Sequence, residues 1–105
     1  MEFDKNKYGF ETLAIHAGQS PDAEFGAVIP PLHLSTTFAQ TEPGKYTKYD
    51  YSRAGNPTRT SYEQCIASLE GADFGFGFSS GCAATSTVIQ LLKAGDHVIA
   101  NDDMY

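Results

Sequence analysis

From Gln19 to Tyr51 the chain shows no apolar repeat of helical or strand period, and Pro21, Gly26, Pro30, Pro31, Pro43 and Gly44 interrupt it throughout. About thirty residues of irregular chain is too long for an ordinary loop inside a compact domain. Such a stretch is either disordered or an arm that packs on another subunit. Leu32, Leu34 and Phe38 supply apolar side chains for docking, which favours the arm. Before it, residues 1–9 are polar and expected to be mobile. Phe10 to Ala17 reads as a short helix with Leu13 and Ala14 on one face and Gly18 as its stop.

Regular structure begins at Asn56. Asn56-Pro57 pairs a capping side chain with proline at the first helical position, and Thr60 with Glu63 could alternatively form a capping box. Tyr62, Cys65, Ile66 and Leu69 then recur at helical spacing, and Gly71 closes the helix. Phe74, Phe76 and Phe78 alternate with Gly75 and Gly77, a strand pattern whose glycine face lets another element come close. A second helix is expected from about Cys82 to Lys93, apolar on most sides and therefore buried, with Gly95 as its end. His97 to Ala100 reads as a second, buried strand. Helix, strand, helix and strand in this order describe an α/β fold with a right-handed βαβ unit and a mainly parallel sheet. Tyr105 follows the last strand with no capping helix, so the sequence is expected to be a fragment of a larger domain.

Composition narrows the function. A hydrophobic content of 41% with 12% aromatics fits a globular chain. The net charge of −6, from 13 acidic against 7 basic residues, argues against nucleic-acid binding. No apolar run is long enough to span a membrane, and the charged Met1-Glu2-Phe3-Asp4-Lys5 start lacks a signal peptide's apolar block, so the expected location is the cytoplasm. Cys65 and Cys82 sit in apolar helical patterns with no metal-ligand spacing, and both are expected to be buried thiols. His16, His33 and His97 share no ligand spacing either, so no metal site is expected.

Three segments could carry chemistry. Ser79-Ser80-Gly81-Cys82 makes a strand-to-helix turn, where free backbone N–H groups and the helix dipole can hold an anion. Small residues there also serve tight helix-to-sheet packing, so the turn alone does not decide. Neither a GxGxxG nor a GxxxxGK[ST] run is present, which disfavours dinucleotide and Walker-type sites. Tyr51 and Arg53, two apart on extended chain, would point to one side and suit a phosphate dianion, the plain alternative being a solvated surface loop. Asp102-Asp103-Met104-Tyr105 follows a strand, where ligands of open α/β sheets bind, and Tyr105 could stack on a flat cofactor or be an ordinary edge tyrosine.

Taken together and in order, these segments resemble the Cys/Met-metabolism enzymes that depend on pyridoxal 5′-phosphate (PLP). Tyr51-Ser52-Arg53-Ala54-Gly55-Asn56-Pro57-Thr58-Arg59 is similar to that family's YSRxxNPT signature. Ser79-Ser80-Gly81-Cys82-Ala83-Ala84 resembles its SSGxAA phosphate turn, and Asp102-Asp103-Met104-Tyr105 its DDxY segment. Thr12 to Gly18 and Pro30 to Phe38 match its N-terminal arm. The resemblance implies an arm over residues 1–55 with cross-subunit contacts, then the truncated start of a fold-type-I PLP-binding α/β domain over residues 56–105. It implies that Gly81 and Cys82 give backbone N–H groups to the PLP phosphate, with Cys82 in place of the usual Met or Leu. Tyr51 and Arg53 would reach that phosphate from a neighbouring subunit of a homo-oligomer, a tetramer in the family. Tyr105 would stack on the pyridine ring, move protons in catalysis and, with Arg53, face the substrate.

Asp50 resembles the acid that cystathionine-handling members carry before the YSR tyrosine, placed to meet a substrate amine. That implies trans-sulfuration chemistry on a small amino-acid substrate, with cleavage of the Cγ–S bond of cystathionine to release cysteine. The γ-synthase and methionine γ-lyase reactions are the family alternatives, and a non-catalytic α/β module for a phosphate-bearing ligand is the alternative outside it. PLP enzymes use a lysine Schiff base. None of Lys5, Lys7, Lys45, Lys48 and Lys93 lies in the family's lysine context, so this chain alone is expected to be inactive.

Overall fold

Asn56 starts the longest helix of the computed structural model, which describes residues 6–105. The charged Met1–Lys5 start, and with it part of the stretch expected to be mobile, lies outside the described residues. Asn56 is extended, and its side-chain oxygen accepts from the N–H groups of Thr58 at 2.9 Å and Arg59 at 3.4 Å. With Pro57 needing no partner for its nitrogen, the first turn of α2 (Pro57–Leu69) is satisfied locally. The Thr60/Glu63 box is not used, because Asn56 caps the helix and Thr60 already lies within it, its N–H donating to the Asn56 carbonyl at 2.9 Å. Asn56 Nδ2 also donates to the His33 carbonyl at 3.1 Å, and His33 N–H donates to Thr58 Oγ1 at 2.9 Å. One residue therefore caps the helix and ties the preceding irregular chain to it. Asn56→Ala is expected to cost about 1–2 kcal/mol, typical of a lost N-cap. Asn56→Asp, which keeps the cap and loses the donor to His33, should cost less. Thermal melts of the two variants check this; equal losses would mean the cap contributes nothing.

The first helix, α1 (Phe10–His16), packs on α2. Its buried face is Leu13 and Ala17, one turn apart, while Ala14 is exposed, contrary to the expected Leu13/Ala14 pairing. Gly18 follows at φ +72°, a left-handed stop that glycine adopts without Cβ strain. A Cβ on Gly18 would meet the Ser61 carbonyl oxygen and crowd Gln64 and Cys65, so the chain leaves α1 pressed against α2.

The segment from Gln19 to Tyr51 is irregular, as its missing period predicts. An antiparallel bridge between Thr37 and Tyr51 links it to the turn before α2. There Phe38 N–H donates to the Asp50 carbonyl and Ser52 N–H to the Thr36 carbonyl, both at 2.8 Å. Phe38 also meets Tyr49, ring centres 5.6 Å apart. Leu32 and Leu34 remain 77% and 92% exposed.

After Gly71 (φ +66°) the Phe74–Phe78 segment runs extended with its two faces as expected. Its glycine face lies on α2: a Cβ on Gly75 would strike the Glu63 carbonyl, and Gly77 N–H donates to Glu63 Oε1 at 2.8 Å. The phenylalanine face is exposed. The expected strands do not form ladders: neither Phe74–Phe78 nor His97–Ala100 pairs with another segment among the described residues. A strand needs a neighbour for its N–H and C=O groups, and no second extended segment here supplies one.

The third helix, α3 (Gly81–Ile89), stops four residues short of Lys93. The Asp96 carboxylate accepts from Lys93 N–H at 2.8 Å, and Asp96 N–H returns to the Lys93 carbonyl at 3.0 Å. That side-chain acceptor diverts the N–H a longer helix would use, and Gly95 closes the turn at φ +98°. The helix is not buried as its apolar composition predicts; Val88, Ile89, Leu91 and Leu92 are all exposed. Cys82 is likewise exposed and Cys65 half-buried, so neither is the buried thiol expected. The buried apolar residues are Leu13, Ala17 and Ala67 alone among the described residues. A radius of gyration of 17.3 Å, against about 13 Å for a compact chain of this length, agrees. The apolar faces are in place, but the layers that would cover them do not come from within these residues.

Candidate active site

Ser80, at φ −156° and ψ 158°, is the N-cap of α3, and its Oγ accepts from Ala83 N–H at 3.1 Å. Because the cap reaches the third helical N–H, those of Gly81 and Cys82 are left without a partner among the described residues. They stand at the positive end of the helix dipole. The Ser80 hydroxyl, accepting through its oxygen, keeps its own proton to donate. No atom lies within 4 Å of where a Gly81 Cβ would be, so the backbone there is open to a ligand. An open cavity of about 510 Å³ is lined by Ser80, Gly81 and Cys82 with Thr85 and Ser86 of α3, and by Met104 and Tyr105 at the end of the chain. The structure thus brings the turn and Tyr105 to one cavity, with the aromatic ring fully exposed. Unpaired amides for an anion and an exposed ring for a flat heterocycle fit PLP, a planar pyridine carrying a phosphate.

Asp50, Tyr51 and Arg53 do not line this cavity. They form their own cluster before α2. Tyr51 and Arg53 do face one another, but through a turn and not along extended chain: Ala54 and Gly55 N–H both donate to the Tyr51 carbonyl, at 3.0 and 2.9 Å. This sets the Arg53 guanidinium 5.2 Å from the Tyr51 ring centre, a cation–π contact. Asp50 Oδ1 accepts from Tyr51 N–H at 2.7 Å, which fixes the carboxylate beside the tyrosine.

In the sequence Arg59 ends the Tyr51–Arg59 run and Glu63 stands in a possible capping box, but neither is expected there to pair with the other. Arg59 Nη1 donates to the Ser52 carbonyl at 2.9 Å, and Nη2 to those of Arg53 at 3.3 Å and Ala54 at 3.1 Å. Its Nε lies 3.4 Å from Glu63 Oε1, one turn along α2. Their i, i+4 spacing on a helix is the sequence signal for this pairing.

A helix N-terminus with unpaired amides and an exposed aromatic ring on one cavity is the arrangement that a phosphate-bearing aromatic cofactor calls for. The chain belongs to the Cys/Met metabolism PLP-dependent enzyme family, whose pattern matches residues 11–105. It is 54% identical over 101 residues to a cystathionine gamma-lyase of Dictyostelium discoideum, covering 95% of this chain and 26% of that protein. It is 49% identical over 102 residues to a cystathionine beta-lyase of Coxiella burnetii, covering 97% and 26%. The crystal structure of metB from Corynebacterium glutamicum superposes with a TM-score of 0.85 at 50% identity, covering 90% of this chain and 25% of that one. The chain therefore spans about a quarter of the length of the relatives it matches. Its fold is the N-terminal part of their fold-type-I α/β architecture, and the cofactor of the family is PLP. Among the described residues, no helix is long and apolar enough to cross a membrane.

Proposed function

We propose that these residues are the first part of a PLP-dependent trans-sulfuration enzyme that cleaves cystathionine at its Cγ–S bond. The observation that carries this reading is the shared cavity of the Gly81/Cys82 amides and Tyr105. Gly81 and Cys82 N–H groups hold the cofactor phosphate, and because the backbone makes that contact, cysteine serves at position 82 as well as another residue. Tyr105 stacks on the pyridine ring, and its phenol takes and returns protons at the substrate. Tyr51 and Arg53 bind the same phosphate from a neighbouring subunit. Their absence from the cavity of their own chain supports that arrangement, and so do the exposed Leu32 and Leu34 of the arm. The functional division falls at residues 55 and 56, with the arm contacting the neighbour within a homotetramer. Two free cysteines suit a reducing compartment, in keeping with a cytoplasmic location.

PLP, when bound, supplies an electron sink for the substrate carbon that loses its proton. The chain's own part is to orient. Arg53 and Tyr105 face the amino acid, and Asp50, held by Tyr51 N–H, meets the distal amine of cystathionine. That acid favours cystathionine over methionine as substrate. The net reaction takes cystathionine and water to cysteine, 2-oxobutanoate and ammonia. The complete reading frame containing these residues, purified with PLP and given cystathionine, is expected to release cysteine with an equal amount of 2-oxobutanoate. Homocysteine with pyruvate would instead assign β-side cleavage, and no thiol release would sink the lyase reading.

A further inference from the structure

The two segments read above as gripping cofactor phosphate both meet one side-chain pair on α2. The turn Tyr51–Ala54 presents three successive carbonyls, of Ser52, Arg53 and Ala54, to the Arg59 guanidinium at 2.9, 3.3 and 3.1 Å. A planar fork with several donors can hold three carbonyls and still present Nε to a carboxylate; a lysine ammonium cannot span them. The carboxylate it meets, Glu63 Oε1, accepts the Gly77 N–H at 2.8 Å. Gly77 stands two residues before Ser79, where the chain turns into the N-terminus of α3. The place a Cβ would take on Gly77 is 3.5 Å from Arg59 Cγ, so the arginine stem also bears on that segment. Both side chains are two-thirds or more shielded. The Arg59 guanidinium nitrogens and Glu63 Oε1 are engaged with backbone and with each other.

We propose that Arg59 and Glu63 are positioning residues for the cofactor phosphate, Arg59 anchoring the turn that carries Arg53 to the neighbouring subunit's phosphate and Glu63 the segment that leads to the Ser79–Cys82 turn on this chain's own phosphate. This rests on the PLP reading above. Arg59 acts by holding the backbone from which Arg53 extends, and Glu63 by fixing the Phe74–Phe78 segment that leads to the Gly81 and Cys82 amides. The effect is therefore specific to the phosphate and not to the ring of the cofactor.

The complete protein and its variants are titrated with PLP and with pyridoxal, which lacks the phosphate, and binding is followed by absorbance and fluorescence. PLP binding by the parent protein, measured first, tests the cofactor reading by itself. Arg59→Lys is expected to weaken PLP about tenfold or more, as for the loss of one charge-assisted hydrogen-bond set, while pyridoxal changes less than about twofold. Glu63→Gln retains an oxygen for Gly77 N–H and should bind PLP within about threefold of the parent, whereas Glu63→Ala should lose about tenfold. If Arg59→Lys does not fold, the Glu63 pair carries the test through the same PLP-to-pyridoxal ratio. Unchanged PLP affinity in Arg59→Lys and Glu63→Ala, or an equal loss for PLP and pyridoxal, overturns the proposal.

Discussion

Replacing Arg53 with alanine is expected to raise the PLP dissociation constant of the complete enzyme by about tenfold to a hundredfold. The magnitude is that of a guanidinium–phosphate contact, about 1.5–3 kcal/mol for hydrogen bonds to a charged group. The turn is built to hold this side chain ready. Its carbonyls are anchored on Arg59, and the guanidinium rests over the Tyr51 ring. The backbone is thereby fixed and the side chain biased toward one side, which lowers the ordering cost of the contact. Tyr51→Phe keeps the ring under the guanidinium and removes only the phenol, so its loss should be smaller than that of Arg53→Ala. Arg53→Lys should fall between them, since it keeps the charge without the fork. Cofactor retention after dialysis, read by absorbance, separates the three. Retention unchanged in Arg53→Ala would rule out Arg53 as a phosphate ligand in any subunit.

Gly18→Ala is expected to destabilise the protein by about 2–5 kcal/mol. Two costs add. A non-glycine residue in the left-handed region costs roughly 1–2 kcal/mol, and forcing a methyl group against packed backbone costs about 1–3 kcal/mol. The atom in the way is the Ser61 carbonyl oxygen, which belongs to α2 and cannot rotate aside as a side chain could. Gly26→Ala is the matched control. Its φ of +71° is almost the same, yet nothing lies within 4 Å of its Cβ position, so it should show the backbone cost alone. The difference between the two in thermal or denaturant unfolding measures how tightly the end of α1 is pressed on α2. Equal losses would mean that α1 does not pack this way in the folded enzyme.

What could be read from sequence was what local chemistry decides. Asn56-Pro57 starts α2 because capping needs only three neighbouring residues, and Gly18, Gly71 and Gly95 stop their segments because each stands at positive φ. The alternation of Phe74 to Phe78 with Gly75 and Gly77 foretold a face that another element approaches, and α2 does so. The Ser79–Cys82 turn and Tyr105 stand out in the sequence for the same reason, each a short motif at the end of an element, and the structure brings the two to one cavity. Hidden were the features made by partners far along the chain. The Thr37–Tyr51 bridge depends on how the arm folds back, and the Arg59 clamp on a turn that has to form first. The α3 helix and the Phe74–Phe78 segment were expected to be buried and paired, because periodicity reports which side wants cover. It cannot report whether the covering layer lies within these residues. Cys82 shows the same gap, apolar by context and exposed in place.

The docking of α1 on α2 also sets an order of events. The two helices are separated by about forty residues, and closing such a loop costs about 3 kcal/mol of chain entropy before any contact compensates it. Leu13 and Ala17 are too few to offset that alone, and α1 is too short to persist unsupported. The capped α2 is the piece that can form first. On a growing chain, the earliest residues made are then among the later ones to settle, waiting until Asn56 and the helix behind it have emerged. A nascent chain arrested before α2 should leave the arm open to protease, and one arrested beyond Leu69 should begin to shield it.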